Sequence, residues 1–400
     1  MKMEVRLAGR MGRLPEYIFG KLNKLKLQRR QAGEDIIDLG MGNPNDPTPQ
    51  PVIDKLVESV NDPRNHRYSV SADGVFNLKR EVARFYRREY GVALSPEKEV
   101  VCTIGSKEGL SHMALVLIEN GDTAIVPTPA FPAHPQAIAI AGGRVVGPPI
   151  SNAPEFFERL DDMVRTVEPK PKLLLLNFPH NPTALTVELE FFQRAVEFAR
   201  AYGVIIIHDF AYSHITFDGY RAPSFLQADG AKEVGVEFSS MSKSFNMAGW
   251  RVGYCVGHPD LVGGLARIKG FFDYGLFMPV QIASIIALRD CREEITKQAA
   301  IYQDRRDAFC EGLNRAGWPV APPKGTMFVW APIPEALRDM GSVEFCMMLL
   351  EEANVAIAPG AAFGEGGDGF VRMAIVENKQ RLRQAARQIG RALRLHRVRA

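Results

Sequence analysis

Residues 190–212 read EFFQRAVEFARAYGVIIIHDFAY. The first thirteen form a helical stretch, and Val204-Ile205-Ile206-Ile207 is then a short, continuously apolar run. Runs of this kind suit a strand covered on both faces. The run stops at His208-Asp209, polar punctuation where a buried strand should end. The same alternation recurs outward on both sides. Apolar runs at 100–104, 123–126, 173–176, 234–238 and 252–256 are separated by longer segments, several of helical character. Strands joined by helical crossovers imply an α/β fold with a largely parallel sheet. Gly105-Ser106, Pro127-Thr128-Pro129, Asn177-Phe178-Pro179 and Ser239-Ser240 follow the other runs. Carboxyl ends of strands form the ligand crevice in such sheets, so chemistry is expected there.

Four hundred residues exceed one compact core, so two domains are expected. A long charged helical stretch begins near residue 290, followed by strand-like pieces at 324–331 and 370–376. The expected division is a large domain at 48–290 and a small α+β domain at 291–400, with residues 1–47 packing on the latter. The tail from residue 379 carries no acid, and Leu382, Ala386, Ile389 and Leu393 recur at helical spacing. It reads as a terminal helix with a solvated basic face. A formal charge of +3 is too weak at this length to argue for nucleic acid or an anionic membrane. No apolar run reaches the roughly 18 residues of a membrane span, and residues 1–27 lack the apolar core of a secretory signal. The five cysteines are odd in number, widely spaced and without CxxC, which points to reduced thiols and the cytoplasm. Neither a metal-ligand cluster nor a G-x-G-x-x-G fingerprint is visible. The glycine-rich run 360–369 lacks a preceding strand and reads as a mobile loop.

Ser239-Ser240-Met241-Ser242-Lys243-Ser244 places a lysine just past a buried strand, among hydroxyls, with Trp250-Arg251 seven and eight residues on. A deprotonated lysine is a covalent catalyst toward carbonyls, and nearby positive charge lowers its pKa. This window resembles the lysine signature of the class I/II, fold type I aminotransferases. Further matches follow the family's order: Leu39-Gly40-Met41-Gly42-Asn43-Pro44, Gly105-Ser106-Lys107-Glu108-Gly109, Asn177-Phe178-Pro179-His180-Asn181-Pro182-Thr183, His208-Asp209-Phe210-Ala211-Tyr212 and Phe370-Val371-Arg372. Asp209 stands 34 residues before Lys243. The resemblance spans nearly the whole chain and implies a mostly parallel seven-stranded sheet, a pyridoxal 5'-phosphate cofactor and a homodimer with shared sites.

It also implies a role for each matched residue. Lys243 would carry the cofactor covalently, and Asp209 would keep its pyridine nitrogen protonated. Asn181 and Tyr212 would bond the phenolate oxygen, Phe131 would stack on the ring, and His134 would brace Asp209. Ser106, Lys107, Ser240 and Arg251 would hold the phosphate at a helix N-terminus, with Tyr68 reaching in from the neighbouring subunit. Arg372 would clamp the substrate carboxylate, helped by Gly42 and Asn181, with Tyr17 at the mouth. Taken singly, Asp209 and Tyr212 also read as a helix cap and a core tyrosine, and Arg372 as a partner for Glu377; His134, His180 and His208 also read as packed histidines. Ala184 replaces the family's usual glycine, and Phe271-Phe272-Asp273-Tyr274 lacks the arginine with which dicarboxylate-specific members grip a distal carboxylate. The run of residues is most similar to the glutamate–pyruvate (alanine) branch. LL-diaminopimelate, aspartate, methionine or aromatic specificity, or lyase or decarboxylase chemistry, are the alternatives.

Overall fold

The computed structural model describes residues 3, 5–14 and 19–397. Its strands, in chain order, are β1 (Ile37–Asp38), β2 (Val100–Thr103), β3 (Thr123–Ile125), β4 (Arg144–Val146), β5 (Pro171–Asn177), β6 (Ile205–Asp209), β7 (Gly235–Ser240), β8 (Gly253–Gly257), β9 (Phe328–Pro332), β10 (Val355–Ala356), β11 (Ala358–Pro359) and β12 (Phe370–Ala374). Seven of them form the main sheet, ordered β2-β8-β7-β6-β5-β3-β4. Leu173, Leu174, Ile206, Val236 and Cys255 are wholly buried, as expected of strands sandwiched between helices.

Pairings among β4, β3, β5, β6 and β7 are parallel, whereas β8 is antiparallel to both neighbours. The reason is local. After Ser240 the chain makes only the short helix Met241–Ser244 and the turn Ala248–Trp250 before it re-enters the sheet. A connection without a crossover helix spanning the sheet returns its strand antiparallel. The reversal brings Gly253 opposite Ser240, so Arg251, just ahead of β8, stands at the same edge as Lys243, just beyond β7.

The remaining strands lie outside this sheet. β9, β12 and β11 make an antiparallel trio, and β1 pairs in parallel with β10, Ile37 opposite Val355. Leu22, Ile36, Ile37 and Leu39 share one apolar cluster with Phe345, Leu349, Val371 and Leu382. The helix Lys379–Arg397 buries Leu382, Ala386, Ile389 and Leu393, as its spacing implied. Further on, Arg305 grips Asp46 through bonds of 2.6 and 2.7 Å, and Thr48 Oγ1 donates to the carbonyl of Asn246 at 2.8 Å. These bonds hold residues 46–48 against the helix Arg292–Arg315 and against the segment after Lys243. All five cysteines are buried and unpaired. Among the described residues no helix is long and apolar enough to cross a membrane.

Candidate active site

The carboxyl ends of β5, β6 and β7 meet the turn after β2 at one edge of the sheet. Asp209 closes β6 and pairs in register with Asn177, the end of β5. The Asn177 amide binds both sides of the cleft: Nδ2 donates to the Asp209 carbonyl at 2.7 Å, and Oδ1 accepts the Asn181 N–H at 2.9 Å. Asp209 is buried, and its Oδ2 lies 2.9 Å from His134 Nε2. The expected brace is therefore present. Phe131 sits edge-on to the same imidazole, centroids 5.4 Å apart. His208 faces away, into a fully buried pair with Glu237 at 2.8 Å, and His180 bonds Thr183 Oγ1 at 2.7 Å.

The Asn181 side chain links two groups. Its Nδ2 donates to the Tyr212 hydroxyl at 3.3 Å, and its Oδ1 accepts from Arg372 at 2.8 Å. Burial pushes the Tyr212 hydroxyl's pKa up, keeping it a neutral donor. Arg372 donates also to the Gly40 carbonyl at 3.0 Å. Its guanidinium carbon lies 4.1 Å from the Phe328 ring centre and 4.6 Å from that of Phe363. No carboxylate pairs with it among the described residues, so its contacts are not those of a Glu377 partner. Its Nε is buried without an acceptor, and burial lowers its pKa to about 10. A buried, uncompensated cation with a spare donor is poised for an anion.

Lys243 is half-buried beside it and donates to the Gly42 carbonyl at 2.6 Å. Its pKa falls to about 8, mainly through burial, with Arg372 and Arg251 adding repulsion. Neighbouring charge, the cause expected from sequence, is thus the second one. Below about pH 8 the free lysine is an ammonium; above it, an amine. Trapping of Lys243 in cofactor-free protein by a small aldehyde and borohydride should therefore rise through pH 8, not near the 10.5 of an ordinary lysine. A rate still climbing steeply beyond pH 10 would contradict this.

The turn after β2 supplies the anion-facing edge. Ser106 lies in the first turn of the helix Gly105–Leu117, with its amide at the N-terminal end; the Lys107 side chain is exposed. A Cβ on Gly105 would come within 2.3 Å of the Arg251 guanidinium, and one on Gly253 within 2.7 Å of the Ser106 nitrogen. The two glycines keep a cradle open between helix terminus, arginine and Ser240. Ser240 Oγ accepts the Ser242 N–H at 3.2 Å. An aldehyde-bearing pyridine phosphate fits this set: amine, buried carboxylate, hydroxyl and amide donors, and an anion cradle in one cleft.

Tyr68 stands outside the cluster, 86% exposed and edge-on to Tyr274 at 5.9 Å. Tyr17 lies outside the described residues. Ala184 takes the left-handed conformation, φ +58°, that favours glycine there. Phe328 and Phe363 were not singled out from sequence, and nothing in their local pattern distinguishes them from packing residues; Asn177 was marked only as the polar end of a strand and part of a motif, with no role of its own. The glycine-rich run needs correction. β11 precedes it, and Phe363 O and Glu365 O accept from Ala130 N and Thr128 Oγ1 at 2.8 and 2.7 Å. The loop is stitched to the 128–130 turn and serves as one wall of Arg372.

The model of the family "Aminotransferase class I and II" matches residues 34–389. Glutamate-pyruvate aminotransferase AlaC of Escherichia coli K12 is 47% identical over 380 residues, covering 95% of this chain and 92% of that protein. LL-diaminopimelate aminotransferase of Moorella thermoacetica is 45% identical, covering 96% and 98%. The substrate-bound structure of BacF from Bacillus subtilis superposes with a TM-score of 0.89 at 33% identity, covering 97% and 98%.

Proposed function

Because the chain belongs to the class I and II aminotransferases, which use pyridoxal phosphate, we propose that it moves an amino group between alanine or glutamate and pyruvate or 2-oxoglutarate. The observation that carries this is Arg372: one carboxylate clamp between two phenyl rings, with no arginine at 271–274 to grip a second carboxylate. Such a pocket favours a small or apolar side chain; glutamate would be held another way. The 47% identity to AlaC supports the same reading. The 45% identity to a diaminopimelate enzyme makes LL-diaminopimelate the second candidate.

When bound, pyridoxal phosphate supplies an aldehyde that captures amines and a protonated ring that draws electrons from the adjacent carbon. The residues divide the remaining work. Lys243 would hold the aldehyde covalently and, once released, take the substrate Cα proton and return it one position away. Asp209, oriented by His134, would keep a proton on the ring nitrogen. Asn181 and Tyr212 would donate to the phenolate oxygen. Arg251, Ser240 and the amide of Ser106 would hold the phosphate, and Arg372 would fix the carboxylate so that Cα faces Lys243. We also place the enzyme in the cytoplasm as a homodimer, its small and N-terminal parts forming one domain. Tyr68, Val70, Phe271, Phe272 and Tyr274 are exposed, and a second copy would cover them and bring Tyr68 to its phosphate.

Absorbance titration of the purified protein with a panel of amino acids tests the assignment. Alanine and glutamate should discharge the cofactor band most efficiently, in a species sedimenting at twice 44.4 kDa. Strong preference for LL-diaminopimelate would move the protein to the second candidate, and a monomer with full activity would dismiss the shared site.

A further inference from the structure

The helix whose N-terminus faces the proposed phosphate site carries an acid that ought to spoil it. Glu108 lies in the first turn of Gly105–Leu117, and its Oε2 accepts the Ile104 N–H at 2.7 Å. A carboxylate here stabilises the positive end of the helix, yet it competes with a phosphate for the same field. Lys269 offsets it. Its side chain is 0% exposed, and its Nζ lies 3.1 and 3.2 Å from the two Glu108 oxygens. The same nitrogen lies 3.1 and 3.0 Å from those of Asp273. His112 Nδ1 lies 2.5 Å from Glu108 Oε1. Burial alone would raise the Glu108 pKa; the close His112 imidazole and the Lys269 charge hold it below the usual range, so the acid stays ionised.

The ligand atoms of Glu108, His112 and Asp273 fall within 4.8 Å of one another, close enough for a metal ion. The Lys269 ammonium already bridges the two carboxylates and supplies the cation. The lysine reaches a second element as well. Asp273 Oδ1 accepts the Gly275 N–H at 2.7 Å, which shapes the turn that sets Tyr274 against Tyr68.

We propose that Lys269 is a positioning residue for the cofactor phosphate: shared between Glu108 and Asp273, it offsets much of the Glu108 charge, so the amides at 105–106 meet the anion with no unpaired carboxylate behind them. This rests on the assignment of Ser106, Ser240 and Arg251 as the phosphate site. The test is a charge-rescue cycle on the full-length protein, stripped of cofactor and titrated with pyridoxal phosphate or with pyridoxal, which lacks the phosphate. Lys269→Met should weaken pyridoxal phosphate roughly tenfold or more, about 1.4 kcal/mol, and leave pyridoxal within about threefold. Adding Glu108→Gln should restore most of the loss, because glutamine keeps an acceptor for Ile104 without the charge. Equal loss for both ligands, or no recovery in the double variant, overturns the proposal.

If Lys269→Met does not fold, Glu108→Gln alone decides. The charge account requires pyridoxal phosphate affinity to hold or tighten, so its weakening, with or without that of pyridoxal, contradicts it. Arg251→Gln separates the two possible failures. Should that variant leave the preference for pyridoxal phosphate over pyridoxal unchanged, the phosphate-site assignment itself is wrong.

Discussion

Lys243→Ala lowers transamination by at least roughly 10⁴-fold, the combined loss of a general base and a covalent anchor. The protein should still fold. Lys243 is half-buried with one hydrogen bond, to the Gly42 carbonyl, and carries a depressed pKa caused chiefly by desolvation, so deleting it removes an unfavourable desolvation along with a contact. Cofactor should still bind, held by the phosphate cradle and Asp209, but dialysis should remove it faster. Borohydride treatment of the wild type followed by peptide mapping should tag position 243 alone among the lysines. Turnover within tenfold of wild type in the alanine variant, or a tag on another lysine, would sink the mechanism.

Arg372→Lys should cost roughly 10²–10³-fold in kcat/KM for alanine, the loss expected when a buried charge pair forfeits its geometry. Lysine keeps the charge but not the planar fork, and a compact ammonium lacks the delocalised face that the guanidinium can offer to Phe328 and Phe363. The same change also releases Asn181 Oδ1, so some loss could come from a misplaced Asn181. An amine substrate without a carboxylate separates the two effects. Its kcat/KM should fall less than tenfold if Arg372 acts on the carboxylate. A loss as large as alanine's would assign Arg372 to Asn181 alone.

Much of this cleft was legible because its residues follow directly on apolar runs. Asp209 sits three positions beyond Ile206, and Ser240 and Lys243 follow Phe238 closely, so polarity changes where each strand stops. Chain direction was not legible. Val252 to Val256 are as apolar as any parallel strand, and only the short return after Ser240 makes β8 antiparallel. β4 was missed because Arg144–Val146 is an edge strand, exposed or half-buried throughout, with no continuous apolar run. The strands β1, β10 and β11 have two residues each, too few for any periodicity. Glu108, His112, Lys269 and Asp273 are unremarkable singly; helix packing alone assembles them. The depth of Lys243, which governs its acidity, likewise belongs to the assembled walls.

The pairing of β1 with β10 bears on how the chain is made. Ile37 leaves the ribosome more than three hundred residues before Val355, its sheet partner. The central sheet, closed by residue 257, can assemble while synthesis continues. Until the last third emerges, Leu22, Ile36 and Leu39 lack most of their eventual apolar neighbours. At typical elongation rates of about 5–20 residues per second, that is a wait of tens of seconds. The nascent chain must therefore carry an uncovered greasy leader through most of translation, a natural target for holding chaperones.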